Sequence, residues 1–260
     1  MFNLKIFLAE LVGTFALVFV GASAGITGTG LLTVALAHGL TLAVFAYAYG
    51  HISGTHVNPA VTFALALNGT IKWVQAIFYW IAQFAGSILA AYLLFVMVTS
   101  TGREFTGADT TGVLMTVGDP HPIIAMIVEA VLTFFLVNTI LHTAVAGKGG
   151  VMAPWAIGTA LLIAILAGGL FTGASLNPAR TLGPALFSGV NSLTDANTYV
   201  VYLFGPLIGA TLAVIVYNYF MGMQETAEVV EEVVVAEVVE VARPVKAVKP
   251  VRPARKVTRK

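Results

Sequence analysis

The chain has 260 residues, of which 58 % are hydrophobic and only 10 % charged, and its mean hydropathy is +0.92. A soluble domain carries about 25 % charged residues. Here the charge-free runs 11–50, 73–102, 149–179 and 196–224 are each long enough for one or two spans of about 20 residues, which excludes a soluble globular fold and points to an integral membrane protein. The net charge of +1 averages two dissimilar regions, and the lack of cysteine excludes disulfides, thiolate chemistry and thiolate metal sites.

The N-terminal Met1-Phe2-Asn3-Leu4-Lys5 runs straight into the first span, with no small-residue cleavage site that would make it a removable signal. Six spans are expected, roughly 4–24, 31–50, 73–98, 122–146, 152–172 and 198–221. The first carries Glu10, the second His38, the fourth Glu129 and the fifth Ile165. Between the second and third spans, residues 58–68 are apolar but too short to cross, and so are residues 177–188 between the fifth and sixth. About ten helical residues rise about 15 Å, half of a hydrocarbon core of about 30 Å. These two segments are expected to be half-helices. Each opens on Asn-Pro and closes on a turn signal, Asn68-Gly69 and Ser188-Gly189.

The longest loop, near 100–121, holds Arg103, Glu104, Asp109 and Asp119 and joins two halves. After 221 the composition changes. An acidic, Val-rich stretch, 225–240, precedes a basic, Pro-containing end from Arg243 to Lys260, expected to be disordered in its basic part. The expected division is a membrane channel domain over 1–221, with repeat one about 4–98 and repeat two about 122–221, followed by a cytoplasmic tail over 222–260.

The duplication is visible in the polar residues. Asn58-Pro59-Ala60 returns as Asn177-Pro178-Ala179, 119 residues on. Glu10 and Glu129, Thr14 and Thr133, Gly39 and Gly158, Gly50 and Gly169, Gly54 and Gly173, and Gly86 and Gly205 share that spacing. Three spans per half make the second half enter from the opposite face, so the repeats are inverted about an axis in the membrane plane. Lys5, Lys72, Lys148 and the basic tail fall on one side, which places both termini in the cytoplasm. The fold expected is all-α, with six transmembrane helices and two re-entrant half-helices.

Inverted half-helices meet head to head near mid-membrane. Their positive dipole ends then converge where Asn58 and Asn177 supply side-chain donors and an acceptor. A water there accepts from both amides and turns its own hydrogens away, and the positive field repels cations and hydronium. Such a place passes neutral molecules one at a time. Arg180, three residues into the second half-helix, lies about 4.5 Å outward from the midplane, while His38 and Ile165 are each placed about 5 Å above it by the same rise. An unpaired cation at that depth faces water or acceptors, so Arg180 is expected to face the pore. Glu10 and Glu129 are expected to accept backbone N–H groups from the irregular loops before the half-helices rather than to relay protons, because the duplication keeps both. Gly205 and Gly209, with Gly86 and Ala90 as counterparts, read as helix-contact positions.

The stretches Gly50-His51-Ile52-Ser53-Gly54-Thr55-His56-Val57-Asn58-Pro59-Ala60-Val61-Thr62 and Phe171-Thr172-Gly173-Ala174-Ser175-Leu176-Asn177-Pro178-Ala179-Arg180 resemble the two signature loops of the aquaporin, or major intrinsic protein, family, and the likeness extends over residues 4–221. The resemblance implies a right-handed six-helix bundle assembled as a homotetramer with one pore per subunit. It also implies that His38, Ile165, Ala174 and Arg180 match the family's selectivity filter. Water-selective members usually carry Phe and His where this chain has His38 and Ile165. A His-Ile-small-Arg filter is more similar to that of plant vacuolar members, which are less strict. Glycerol facilitators carry Asp after the filter Arg, where this chain has Thr181, and a basic residue where it has Ala185. The function implied is a passive channel for water that excludes protons and ions, with wider neutral solutes such as ammonia or glycerol as the alternative. A non-conducting adhesion or scaffold protein is the rival from another class. No enzyme, cofactor, metal or nucleic-acid partner is expected. The membrane of residence implied is the cell membrane, or an intracellular membrane of vacuolar type.

Overall fold

The computed structural model describes residues 2–28, 30–106, 121–188 and 195–221. The chain divides into two units, Met1–Asn218 and Tyr219–Lys260. The expected tail over 222–260 and the centre of the loop joining the halves lie outside the described residues.

The helices are α1 (Leu4–Ile26), α2 (Leu31–Ser53), α3 (Pro59–Leu67), α4 (Trp73–Thr99), α5 (Pro122–Ile140), α6 (Ala153–Thr172), α7 (Pro178–Ala185) and α8 (Ala196–Met221). A π turn carries α5 on to Val145, and a second π turn, Val200–Phe204, lies within α8. Six of these are long and apolar enough to cross a membrane, and no strand occurs among the described residues. Their boundaries follow local chemistry. The Asn3 side chain accepts from the N–H of Lys5 at 3.0 Å and so caps α1. Helices α2 and α6 stop at Gly54 and Gly173, whose φ values of 84° and 76° are left-handed and available to glycine without strain. The two short helices have 9 and 8 residues. At about 1.5 Å per residue they are 12–14 Å long, about half a bilayer core.

Helix α1 packs on α2 and α4, α5 packs on α6 and α8, and α2 packs on α6. At the α2–α6 crossing the approach is backbone to backbone. A Cβ on Gly39 would strike the Gly158 carbonyl, and one on Gly158 would strike the Gly39 carbonyl. That reciprocity places the axis relating the two repeats between these glycines. Lipid gives helices no hydrophobic reason to associate, so such close contacts between small residues carry the packing. Large apolar side chains such as Leu40, Val44, Ile77, Ile163 and Ile215 are left on the outside, where lipid is their solvent.

The last helix corrects one expectation. Gly86 of α4 meets the Leu11 carbonyl of α1, and the residue that meets the equivalent Ala130 carbonyl of α5 is Gly209. Tyr79 donates to the Ser53 carbonyl at 2.7 Å, and the residue that donates to the equivalent Thr172 carbonyl, at 2.8 Å, is Tyr202. Both pairs, 86 with 209 and 79 with 202, are 123 apart, whereas 11 with 130 and 53 with 172 keep the 119 spacing. The structural counterpart of Gly86 is therefore Gly209, and that of Gly205 is Ala82. Helix α8 is shifted by four residues, one helical turn. The reason is the connection before it: ten residues separate α7 from α8, against five between α3 and α4, and α7 is one residue shorter than α3. A whole-turn slip keeps the same helix face inward, and a second glycine at 205 hides it in the sequence.

Candidate functional site: a pore at two facing asparagines

The centre of the bundle is built from Asn58 and Asn177. Each sits just before a proline, whose missing N–H costs nothing in the first turn, and each caps its own half-helix. Asn58 Oδ1 accepts from the Ala60 N–H at 2.8 Å. Asn177 Oδ1 accepts from the Ala179 and Arg180 N–H groups at 3.0 and 3.2 Å. Asn58 Nδ2 then donates to the Leu176 carbonyl at 2.8 Å, and Asn177 Nδ2 donates to the Val57 carbonyl at 2.8 Å. The exchange ties the two half-helix openings together. Asn177 Oδ1 uses both lone pairs on its cap and Asn58 Oδ1 one of its two, so both oxygens are turned to their own helices and each amide keeps a second N–H.

The loops that deliver the asparagines are held by two carboxylates. Glu10 Oε1 accepts from Ser53 Oγ at 2.7 Å and the His56 N–H at 2.9 Å, and Oε2 accepts from the Val57 N–H at 2.7 Å. Glu129 repeats this on Thr172 Oγ1 at 2.7 Å, the Ser175 N–H at 2.9 Å and the Leu176 N–H at 2.7 Å. Both carboxylates are fully buried, and these donors supply the compensation a buried charge needs. They also hold an unusual backbone. Thr55 and Val57 have φ of 48° and 43°, and Ala174 and Leu176 have 45° and 56°. A residue with a Cβ held there costs about 1–3 kcal/mol, and Val is among the least suited. Nothing in the local sequence announces this conformation. Each loop is also tied to its half-helix, His56 Nδ1 to Thr62 Oγ1 at 3.1 Å and Ser175 Oγ to Thr181 Oγ1. The sequence reading missed Ser53, Thr172, Gln83 and Ser87. Gln83, a polar side chain inside an apolar span, is the signal that was there to be read.

Arg180 is buried, and the structure joins it to two of the expected filter residues. Its Nε donates to His38 Nε2 at 2.8 Å, Nη1 donates to the Ala174 carbonyl at 3.2 Å, and Nη2 reaches the Gly173 carbonyl at 3.5 Å. Arginine only donates, so His38 Nε2 accepts. The ring proton is then on Nδ1, which donates to the Val34 carbonyl at 2.9 Å. His38 and Arg180 thus act as one hydrogen-bonded wall. Ile165 is buried in α6, the helix that ends at Gly173. Among the described residues no group of acidic, His or Cys side chains could hold a metal ion.

A cavity lies at this centre. It is lined by Asn58, Asn177 and Arg180, by loop residues 54–57 and by apolar side chains including Leu17, Val61, Leu136 and Ile157. It leaves about 40 Å³ for the centres of water-sized molecules. One water needs about 10–15 Å³ on that measure, so the cavity has room for about three waters. The inverted repeat makes its two ends comparable. The counterparts of Arg180, His38, Ile165 and Ala174 at the 119 spacing are Val61, Ile157, Ala46 and Thr55. The polar wall therefore exists on one side of the asparagines, and the matching place on the other side is nearly apolar.

The major intrinsic protein family model matches residues 1–217. The chain belongs to that family. Among the relatives it is similar to are Aquaporin TIP2-1 of Arabidopsis thaliana, 38 % identical over 86 % of this chain and 90 % of the relative, and Aquaporin TIP1-2 of Musa acuminata, 42 % identical over 83 % and 86 %. Among solved structures, the aquaglyceroporin from Plasmodium falciparum superposes with a TM-score of 0.71 at 25 % identity, covering 82 % of this chain and 95 % of that one. Family membership makes the chain a multi-pass membrane channel and not an enzyme.

Proposed function

We infer that this chain is a passive water channel that excludes protons and ions. One observation carries the reading: Asn58 and Asn177 bond each other's loops, turn their oxygens to the caps and line, each with a second N–H left, a cavity with room for a few waters. A water at the asparagines accepts and points both hydrogens outward, which breaks the donor–acceptor order a proton would follow. Two half-helix N-termini add positive potential at the asparagines, and Arg180 adds it on one side of them. His38, Ile165, Ala174 and Arg180 form the filter in this reading. Stopped-flow shrinkage of vesicles bearing the purified protein tests it, and permeability equal to that of empty vesicles rejects it. The aquaglyceroporin likeness raises glycerol or ammonia as wider cargo, while the aquaporin relatives support water first. Solute-driven re-swelling measures the difference.

We further propose that the channel lies within residues 1–221, with both termini cytoplasmic and the segment 222–260 dispensable for flux; removing that segment leaves permeability unchanged. Family membership supports a homotetramer with one pore per subunit. Native mass spectrometry from detergent reads the subunit number.

A further inference from the structure

The two half-helices are not held alike. Three side chains on one face of α4 reach them close to the asparagines. Trp80 Nε1 donates to the Pro59 carbonyl at 3.1 Å, Gln83 Nε2 to Thr62 Oγ1 and to Glu10 Oε2 at 2.8 Å each, and Ser87 Oγ to the Ala179 carbonyl at 2.6 Å. The first two grip α3, in the same repeat as α4. The third crosses to α7 in the other repeat. Ser87 fits there because Gly183 has no side chain; a Cβ on it would strike the Ser87 hydroxyl. The structural counterparts of these three residues, 123 positions on, are Leu203, Pro206 and Ala210. None of them has a side-chain donor. The side-chain hydrogen bond that α8 makes near a half-helix is instead at that helix's far end, where Asn218 accepts from Asn68.

We propose that α4 fastens both half-helices, and that Ser87 is a positioning residue for Arg180 and hence for selectivity. The Ala179 carbonyl it holds belongs to the residue between the two pore groups Asn177-Pro178 and Arg180. Its hydrogen bond fixes the rotation of α7 about its own axis, which sets how far Arg180 stands into the cavity. In repeat one the same helix face fixes α3 through Gln83, which also adds a fourth donor to Glu10. Glu129 has no such extra donor from α8, because Pro206 stands where Gln83 would. The pore centre therefore depends on the two repeats unequally, although its asparagines look equivalent.

This inference rests on the water-channel reading. Its test is the ratio of glycerol to water permeability in vesicles, measured for Ser87→Ala, Gln83→Met and Trp80→Phe, with Leu203→Met and Ala210→Ser as the α8 comparison. Misfolding lowers both permeabilities together and leaves the ratio alone. Losing one hydrogen bond of ordinary strength is expected to raise the ratio about fivefold in Ser87→Ala, while the α8 variants keep the wild-type ratio. An unchanged ratio in Ser87→Ala and Gln83→Met, or an equal rise in the α8 variants, overturns it. A wild-type protein with no flux above empty vesicles rejects the water-channel reading instead. In that event, hydrogen–deuterium exchange of the segment 174–181 decides the positioning claim. Faster exchange in Ser87→Ala than in Ala210→Ser supports it, and equal exchange overturns it.

Discussion

Replacing each buried carboxylate by its amide separates two sites that look the same. Glu129→Gln keeps one acceptor oxygen and puts an NH2 where the other stood. If the oxygen keeps Thr172 and Ser175, the new NH2 faces the Leu176 N–H, which is then left unpaired. A buried unpaired donor costs about 1–3 kcal/mol, and the bond that held Leu176 at its φ of 56° is gone. Glu10→Gln strands the Val57 N–H in the same way. There, however, Gln83 lies against the changed atom, and its Oε1 is buried without a partner. Turning that amide over lets Oε1 accept from the new NH2 but puts the Gln83 NH2 where Oε1 had no partner, so the donor that Gln83 gave to Glu10 is stranded either way. Glu129→Gln has no such neighbour, so Glu10→Gln carries the further cost of that stranded donor, about 1–3 kcal/mol. At about 2–4 °C per kcal/mol for a chain of this size, the Glu10→Gln protein should melt about 2–12 °C below Glu129→Gln. Thermal unfolding in detergent, followed by circular dichroism, measures the gap. Equal midpoints, or Glu129→Gln melting first, would refute the account of how the loops are held.

Arg180→Ala removes the donor wall at His38 and the fixed cation, so glycerol entry and a measurable cation conductance are expected; unchanged selectivity in vesicle flux counts against a filter role. Gly158→Val puts two methyl groups against the Gly39 carbonyl, and the bundle should fail to assemble, read as loss of the folded peak in size-exclusion chromatography. Because the chain has no cysteine, mercurials should leave water flux unchanged, whereas Ala174→Cys should make it sensitive. An Ala174→Cys variant as insensitive as the wild type contradicts the placement of Ala174 at the pore.

Much of this molecule is legible without coordinates, because the membrane restricts what a sequence can mean. A backbone in lipid must satisfy its own hydrogen bonds, so charge-free runs of the right length become spans and a run of half that length becomes a half-helix. Paired Asn-Pro-Ala segments and Glu10 with Glu129 show the inversion and mark its centre. The repeat spacing misleads only where the chain has a longer connection before α8, since a slip of one whole turn leaves the helix face unchanged.

Other features depend on contacts between residues far apart in the chain, and local propensity argues against them. Val57 and Leu176 adopt left-handed backbone because a carboxylate 47 positions earlier binds their N–H groups. The asparagine oxygens turn inward to the caps because the opposite loop's carbonyl takes one N–H of each amide. His38 meets Arg180 across 142 positions, and Ser87 meets Ala179 across 92. Composition and period set the spans, the repeat and the meeting point, since each is a property of a short stretch of chain in a low-dielectric solvent. Donor direction at the pore, the rotation of α7 and the one-sided polar wall were decided by packing, because a hydrogen bond is directional and its partner is chosen only when the helices have come together.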